Sequence, residues 1–231
     1  MYAHEEMANI QATLDDVSEK IDLRALFNPK FRPVLLIGIV MAIFQQWCGI
    51  NTVFNYAEEI FTAAGYGVSD TLFNIVITGT VNLVFTLVAI FTVDKWGRKK
   101  LMIFGSAGLA ITYLLLGSAF YFHLKGIAVL TLVVVAIAIY AMSLAPIVWV
   151  ILSEIFPNQI RGAAMALATF ALWIACFILT YTFPLFNKIV GAAGTFWVYA
   201  GICILGFLFV LRKLPETKGK TLEAIEKELV K

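Results

Sequence analysis

The sequence predicts an all-α integral membrane protein of six transmembrane helices, and three observations carry that prediction. Of 231 residues, 61% are hydrophobic and 14% charged, where a soluble domain carries about a quarter charged residues. The charges are clumped. Uncharged runs of 25, 23, 24, 28, 26 and 23 residues lie between Arg32 and Glu58, Asp70 and Asp94, Lys100 and Lys125, Lys125 and Glu154, Arg161 and Lys188, and Lys188 and Arg212. About 20 apolar residues cross the hydrocarbon core as a helix. Transmembrane strands need about ten and alternate in polarity, which these runs do not.

The elements follow in order. Over residues 5–22, Met7, Ile10, Leu14, Val17 and Ile21 recur at spacings of three and four, which predicts an amphipathic helix with an acidic outer face. It is expected to pack on the cytoplasmic underside of the membrane domain. "NPKFRP" then breaks the chain with two prolines. The spans are expected at 34–61, 70–93, 101–122, 127–153, 163–187 and 194–212, joined by short links. Pro146 removes a helix hydrogen bond inside the fourth and permits a bend. Pro215 and Gly219 in "LPETKGK" end the last span, and Leu222, Ile225 and Leu229 suggest a short final amphipathic helix. The organisation is a cytoplasmic linker over 1–32, a membrane domain over 33–213 and a C-terminal tail over 214–231.

Orientation follows from Lys and Arg. Fifteen lie in residues 1–33, the second and fourth loops and the tail, while only Lys125 and Lys188 lie on the other side. The positive-inside tendency places both termini in the cytoplasm. The net charge of +2 is thus topological and gives no reason to expect nucleic acid. Residues 1–32 lack the basic-then-apolar start of a signal peptide. Cys48, Cys176 and Cys203 all lie within spans without metal spacing, and read as small apolar residues. No nucleophile elbow, metal-ligand cluster or phosphate loop is visible. No enzyme activity, catalytic residue, metal or cofactor is expected.

The polar residues inside the spans carry the functional signal. "QQWCGINTVFNY" (45–56) places Gln45, Gln46, Asn51 and Asn55 within eleven residues. An unpartnered amide in hydrocarbon costs several kcal/mol. On an ideal helix at about 100° per residue the four do not share a face. Either they ring a wide cavity, or the helix is interrupted near Cys48–Gly49, as membrane helices are where they line a wet cavity. An amide offers a donor and an acceptor that can clasp adjacent hydroxyls of a polyol. Interhelical glue is the plainer alternative, and four amides so close together weigh against it. Asn82 lies mid-span. Trp149 and Trp173 lie deep in spans four and five rather than at the interfacial belt, where a Trp can stack on the apolar face of a sugar or simply pack. "DKWGRKK" (94–100) is a tight basic turn, and Glu154 and Arg161 flank another. Carboxylates and arginines at helix ends can form ion pairs that hold one conformation and release in another. Plain positive-inside anchoring is the bland reading of the basic turn. No span has an ionisable residue at its centre.

"QQWCGIN", "DKWGRKK", "PIVWVILSEIFPNQIRG", "TYTFPLF" and "PETKGKTLEAIE" occur in the order found in the second half of sugar porters of the major facilitator superfamily, the glucose, xylose and related monosaccharide transporters. The chain resembles that half over nearly its whole length. The resemblance implies family helices seven to twelve, built as two three-helix inverted repeats, in a bacterial inner membrane. It implies that Gln45, Gln46, Asn51 and Asn82 contact sugar hydroxyls and that Trp149 and Trp173 line the site. Asn55, at a position where tyrosine is frequent, joins the substrate-binding set. Asp94, Arg98, Glu154 and Arg161 would form a cytoplasmic charge network, and Tyr56 would belong to the outer gate. Leu172 and Cys176 stand where polar residues often help hold the sugar, and Ala145 replaces a usual glycine. These departures leave the sugar, hexose or pentose, open.

Family members have about twelve spans, with sugar held between two six-helix halves. Met1 falls within what would be the central cytoplasmic linker, and the first-half helix that carries the coupling acid of symporters has no counterpart here. The expected activity is monosaccharide transport by alternating access, as symporter or facilitator, with sugar and membrane lipid as partners. Two rivals accompany it. The chain is a half-transporter, inactive alone, that needs a separately encoded N-terminal half or a second copy. Or it is a membrane sugar sensor, which its short tails disfavour.

Overall fold

Proline and glycine positions set the helix boundaries of this chain. The computed structural model describes Leu26 and residues 28–229; the amphipathic helix expected over 5–22 lies outside the described residues. Asn28 accepts the backbone N–H of Lys30 with its side chain (3.1 Å), starting a short 3-10 turn over Pro29–Phe31. Helix α1, Arg32–Trp47, follows with Pro33 in its first turn, where the missing N–H costs nothing.

The expected first span is not one helix. It ends at Cys48–Gly49, with Gly49 left-handed at φ 90°, and resumes as α2, Ile50–Asn55. A second interruption at Tyr56 (φ −120°, ψ 31°) precedes α3, Ala57–Ala63. The break near Cys48–Gly49 was one of the two arrangements the amide spacing allowed; the break at Tyr56 has no glycine or proline to announce it.

Helix α4 spans Val68–Trp96 and α5 spans Arg98–Tyr121. Gly97 between them, at φ 89° and ψ 153°, occupies backbone space open essentially to glycine alone. Helix α6, Ile127–Met142, is separated from α7, Leu144–Ile155, by Ser143 (φ −131°, ψ −90°). The bend expected from Pro146 is therefore present. Pro146 has no N–H to give the carbonyl four residues earlier, on Met142. Helix α8, Arg161–Lys213, contains 53 residues and is broken at Gly191 (φ 72°, ψ 171°). Helix α9, Leu222–Leu229, matches the expected terminal amphipathic piece.

Among the described residues, five helical segments are long and apolar enough to cross a membrane: Pro29–Asn55, Val68–Trp96, Arg98–Tyr121, Ile127–Ile155 and Arg161–Lys213. The last would measure ~80 Å if straight, at about 1.5 Å per residue, against a hydrocarbon core of about 30 Å. Gly191 divides it.

Helix α5 packs along α8, which also packs against α1, while α6 packs on α4 and α5. Between α5 and α8 sits an aromatic cluster. The Tyr113 ring lies 5.8 Å from Phe196 and 6.1 Å from Tyr199, and Phe120 stacks on Phe196 at 5.7 Å. Gly206 of α8 faces the Phe44 ring of α1 so closely that a Cβ there would collide with it. Lipid tails are as apolar as Leu, so close packing of this kind carries helix association in a bilayer. Several hydroxyls in the spans are satisfied within their own helices. Thr80, Thr86, Thr112 and Thr131 each donate to the carbonyl four residues back, at 2.7–2.8 Å, so their presence in an apolar helix demands no ligand.

Candidate functional site

The interruption at Cys48–Gly49 has a local cause. Gly49 supplies the left-handed residue, Thr52 donates both its backbone N–H (3.2 Å) and its hydroxyl (2.6 Å) to the Gly49 carbonyl, and the Tyr199 ring of α8 fills the space where a Cβ would project. With the helix broken, amides that an ideal helix would spread apart reach one another.

Asn51 Nδ2 donates to Gln46 Oε1 across the break and approaches Cys176 Sγ of α8 at 3.7 Å. Gln46 is buried and Asn51 half-buried. Gln45, 2% exposed, donates through Nε2 to the carbonyls of Leu144 (3.1 Å) and Ala145 (2.9 Å). Those carbonyls lie on the first turn of α7, beside the bend at Ser143. Gln45 is thus half glue: its amide nitrogen ties α1 to α7. Its Oε1 is buried and has no hydrogen-bond partner among the described residues. A buried acceptor left unpaired costs about 1–3 kcal/mol, and Gln45 carries that cost at the interruption.

The remaining expected contacts arrange less tightly. Asn55 Nδ2 lies 3.5 Å from Thr180 Oγ1, at the limit of a hydrogen bond. Tyr56 donates its hydroxyl to the Thr180 carbonyl at 2.9 Å and lays its ring 4.5 Å from Phe183. Together they tie α2 to the outer part of α8. Trp149 lies one turn beyond Ala145 on α7 and is 38% exposed; Trp173 lies one turn before Cys176–Phe177 on α8 and is 62% exposed. Asn82 is half-buried midway along α4, and its side chain makes no hydrogen bond among the described residues. The structure brings together Gln46, Asn51 and Cys176, and Gln45 with α7; among the described residues no hydrogen bond joins the side chains of Asn82 or Trp173 to them. Trp47 was passed over in the sequence. Its ring nitrogen donates to the Ala175 carbonyl at 3.2 Å, a second tie between α1 and α8 beside the cluster.

At the basic end of the bundle three of the four expected network residues meet. Arg98 reaches Glu154 Oε1 with Nη2 at 2.9 Å and Nε at 3.1 Å, and Asp94 with Nη1 at 3.1 Å. The two pairs differ in weight. The Arg98 and Glu154 side chains are 14% and 21% exposed, while Asp94 is 81% exposed. An exposed i,i+4 pair is worth about 0.3–0.5 kcal/mol, so the two-point contact with Glu154 dominates. Arg161 departs from the expectation. Its Nε donates to the Phe156 carbonyl at 3.0 Å, and among the described residues it pairs with no carboxylate. Five residues from Phe156, it closes the short turn before α8 instead of crossing to Glu154.

Two members of this network were missed in the sequence. Thr217 donates to Glu154 Oε2 at 2.6 Å. Glu216 Oε1 accepts the backbone N–H groups of Arg98 (3.0 Å), Thr217 (3.1 Å) and Lys218 (3.1 Å). The Arg98 N–H opens α5, so the Glu216 carboxylate caps a helix N-terminus where negative charge is favoured. Lys218 Nζ reaches the Lys95 carbonyl at the end of α4 at 2.6 Å. The tail thereby straps the 94–100 turn to Glu154. The sequence signal for both is "PETKGK" itself, a motif that does not name its partner.

A family model described as sugar (and other) transporter matches residues 1–229. The arabinose-proton symporter of Bacillus subtilis (strain 168) is 42% identical over 230 residues, covering 99% of this chain and 49% of that protein. The D-xylose-proton symporter of Escherichia coli (strain K12) is 45% identical over 199 residues, covering 84% and 40%. The inward-open xylose transporter XylE from E. coli superposes with a TM-score of 0.81 at 39% identity, over 99% of this chain and 47% of that one. The XylE structure bound to 6-bromo-6-deoxy-D-glucose gives a TM-score of 0.78 at 43% identity, over 84% and 42%. The chain spans about half the length of the relatives it matches. It belongs to the sugar (and other) transporter family, within the major facilitator superfamily.

Proposed function

We propose that this chain forms the C-terminal half of a monosaccharide transporter that works by alternating access. It would consist of six transmembrane helices, α8 counting as two across Gly191, arranged as two inverted three-helix repeats in a bacterial inner membrane, with both termini in the cytoplasm. The observation that carries the reading is the interrupted first span, where Gln45, Gln46 and Asn51 cluster and Gln45 Oε1 stays buried without a protein donor. A sugar hydroxyl supplies the donor that this oxygen lacks. Gln46 and Asn51 share one bond between them and retain amide atoms for adjacent hydroxyls. Asn55, Asn82, Trp149 and Trp173 complete the substrate wall, and Tyr56 serves the outer gate. Asp94, Arg98 and Glu154, with Glu216 and Thr217, hold the basic end closed in one state and release it in the other. Arg161 joins the network only if that end rearranges.

Two relatives are named arabinose-proton and D-xylose-proton symporters, and on that ground pentoses are the first substrates to try. The relatives' extra length favours an N-terminal six-helix half as partner, which would cover some of the apolar surface otherwise left to lipid. On α4, Leu72, Phe73, Val76, Leu83, Leu87 and Phe91 are exposed, and on α8, Phe170, Trp173, Phe177 and Tyr181 are exposed. The test is sugar uptake in transport-deficient cells expressing this chain alone or together with the first half of a related symporter. Uptake only on co-expression supports the half-transporter. Uptake by the chain alone removes the need for a separate first half. No uptake in either case, with both halves in the membrane, overturns the transport reading.

A further inference from the structure

A groove of about 310 Å³ opens on the outer face of the bundle between α5 and the second part of α8, lined only by apolar side chains including Ala107, Ile111, Leu114, Ile204, Phe207 and Leu208. These residues sit midway along their helices, at hydrocarbon depth. The two helices run antiparallel, and their basic ends are pinned together. Lys99 Nζ donates to the Leu211 carbonyl at 3.1 Å, satisfying one of the carbonyls that a helix C-terminus leaves free.

The helix repeat puts charge at the end of this same groove. Lys100 precedes Ala107 by seven residues, two turns on the same stripe, and Arg212 follows Leu208 by four, one turn further on. Both are exposed, as is Lys213. The nearby carboxylates are engaged: Glu154 by Arg98 and Thr217, Glu216 by three backbone N–H groups, and Asp94 by Arg98. The rise from Lys100 to Ala107 is ~10 Å and from Arg212 to Leu208 ~6 Å, at about 1.5 Å per residue. A phosphate held at Lys100 and Arg212 therefore places the first carbons of an acyl chain at the mouth of the groove.

We infer that this groove and its basic mouth bind one anionic phospholipid of the cytoplasmic leaflet, its phosphate on Lys100, Arg212 and Lys99 and an acyl chain between Ala107–Leu114 and Ile204–Leu208. Charge complementarity selects the headgroup, because basic pockets between helices at the cytoplasmic face attract anionic lipids. The apolar walls fix the site, because a chain seated there replaces solvent-like lipid contacts with ordered ones. The assignment of leaflet rests on the orientation proposed above; the binding itself does not.

Native mass spectrometry of the purified 231-residue chain in detergent tests the site, with dioleoylphosphatidylglycerol and dioleoylphosphatidylcholine added separately. One phosphatidylglycerol is expected to be retained with roughly tenfold preference over phosphatidylcholine, given the worth of each basic residue near an anionic surface. The K100Q/R212Q double variant is expected to lose that preference, and K100R/R212K to keep it. Ala107→Phe, which fills the groove, is expected to lower retention of the lipid while leaving far-UV circular dichroism unchanged. Lys188→Gln, at the opposite end, is expected to change nothing. Equal retention of the two lipids overturns the proposal. So does a preference that survives K100Q/R212Q, or phosphatidylglycerol retention that Ala107→Phe leaves undiminished, since that is a diffuse basic surface without a groove. None of these outcomes bears on sugar transport, so the two readings fail separately.

Discussion

Gln45 and Gln46 are neighbours in sequence and do different work. Gln45 spends its donor on the Leu144 and Ala145 carbonyls and leaves its acceptor unpaired. Gln46 accepts from Asn51, and its Nε2 has no protein partner among the described residues. Gln46→Ala in a chain completed by its first half is therefore expected to weaken sugar binding by about 1–3 kcal/mol, the cost of leaving hydroxyls unpaired. Isothermal titration with the transported sugar checks this, and unchanged affinity would return Gln46 to an interhelical role. Gln45→Ala removes the α1–α7 tie as well, and is expected to lower thermal stability in detergent where Gln46→Ala does not. The sequence flagged these amides because they are costly in hydrocarbon. It could not apportion their donors and acceptors, since Leu144 and Ala145 lie about a hundred residues away and their carbonyls carry no sequence signal.

Breaks between elements were legible where glycine or proline makes them, at Gly49, Gly97, Gly191 and before Pro146. Tyr56 interrupts its helix with φ −120° at the point where its hydroxyl meets the Thr180 carbonyl, a contact made only in the folded chain. Gly49→Ala is expected to destabilise the bundle. A left-handed residue with a Cβ costs about 1–2 kcal/mol, and the new carbon would lie 2.5 Å from the Tyr199 ring. A lowered melting temperature in detergent checks it; an unchanged one would mean that the break moves elsewhere. The strap at the basic end makes a parallel prediction. Glu154→Gln weakens the two-point Arg98 contact, and Glu216→Gln weakens the cap on α5. Both are expected to raise labelling of that end by a membrane-impermeant thiol reagent at an introduced cysteine, with sugar affinity nearly unchanged. Labelling equal to the parent would remove the gating role.

At the scale of the whole molecule, the unpaired Gln45 acceptor and the roughly twofold greater length of the relatives argue that the cluster around Gln45 forms one wall of a cavity. Uptake is accordingly expected to depend on co-expression with a first half, as measured by radiolabelled pentose accumulation. Within that pair, Gln46→Ala should reduce accumulation at low sugar more than at high sugar. The sequence by itself determined the membrane class, the apolar runs, the clustering of basic residues and the family. Each follows from composition, from runs longer than a bilayer is thick, or from short ordered motifs, all of which are local along the chain. Tertiary structure alone decided that Asn51 meets Gln46 and Cys176, that Gln45 is half glue, that Arg161 stands outside the Arg98–Glu154 pair, and that Glu216 and Thr217 stand inside the network. Those choices depend on which helix ends approach one another. Hydrophobic periodicity says which face is apolar, but in a bilayer every face is apolar, so only the packed bundle selects the neighbours.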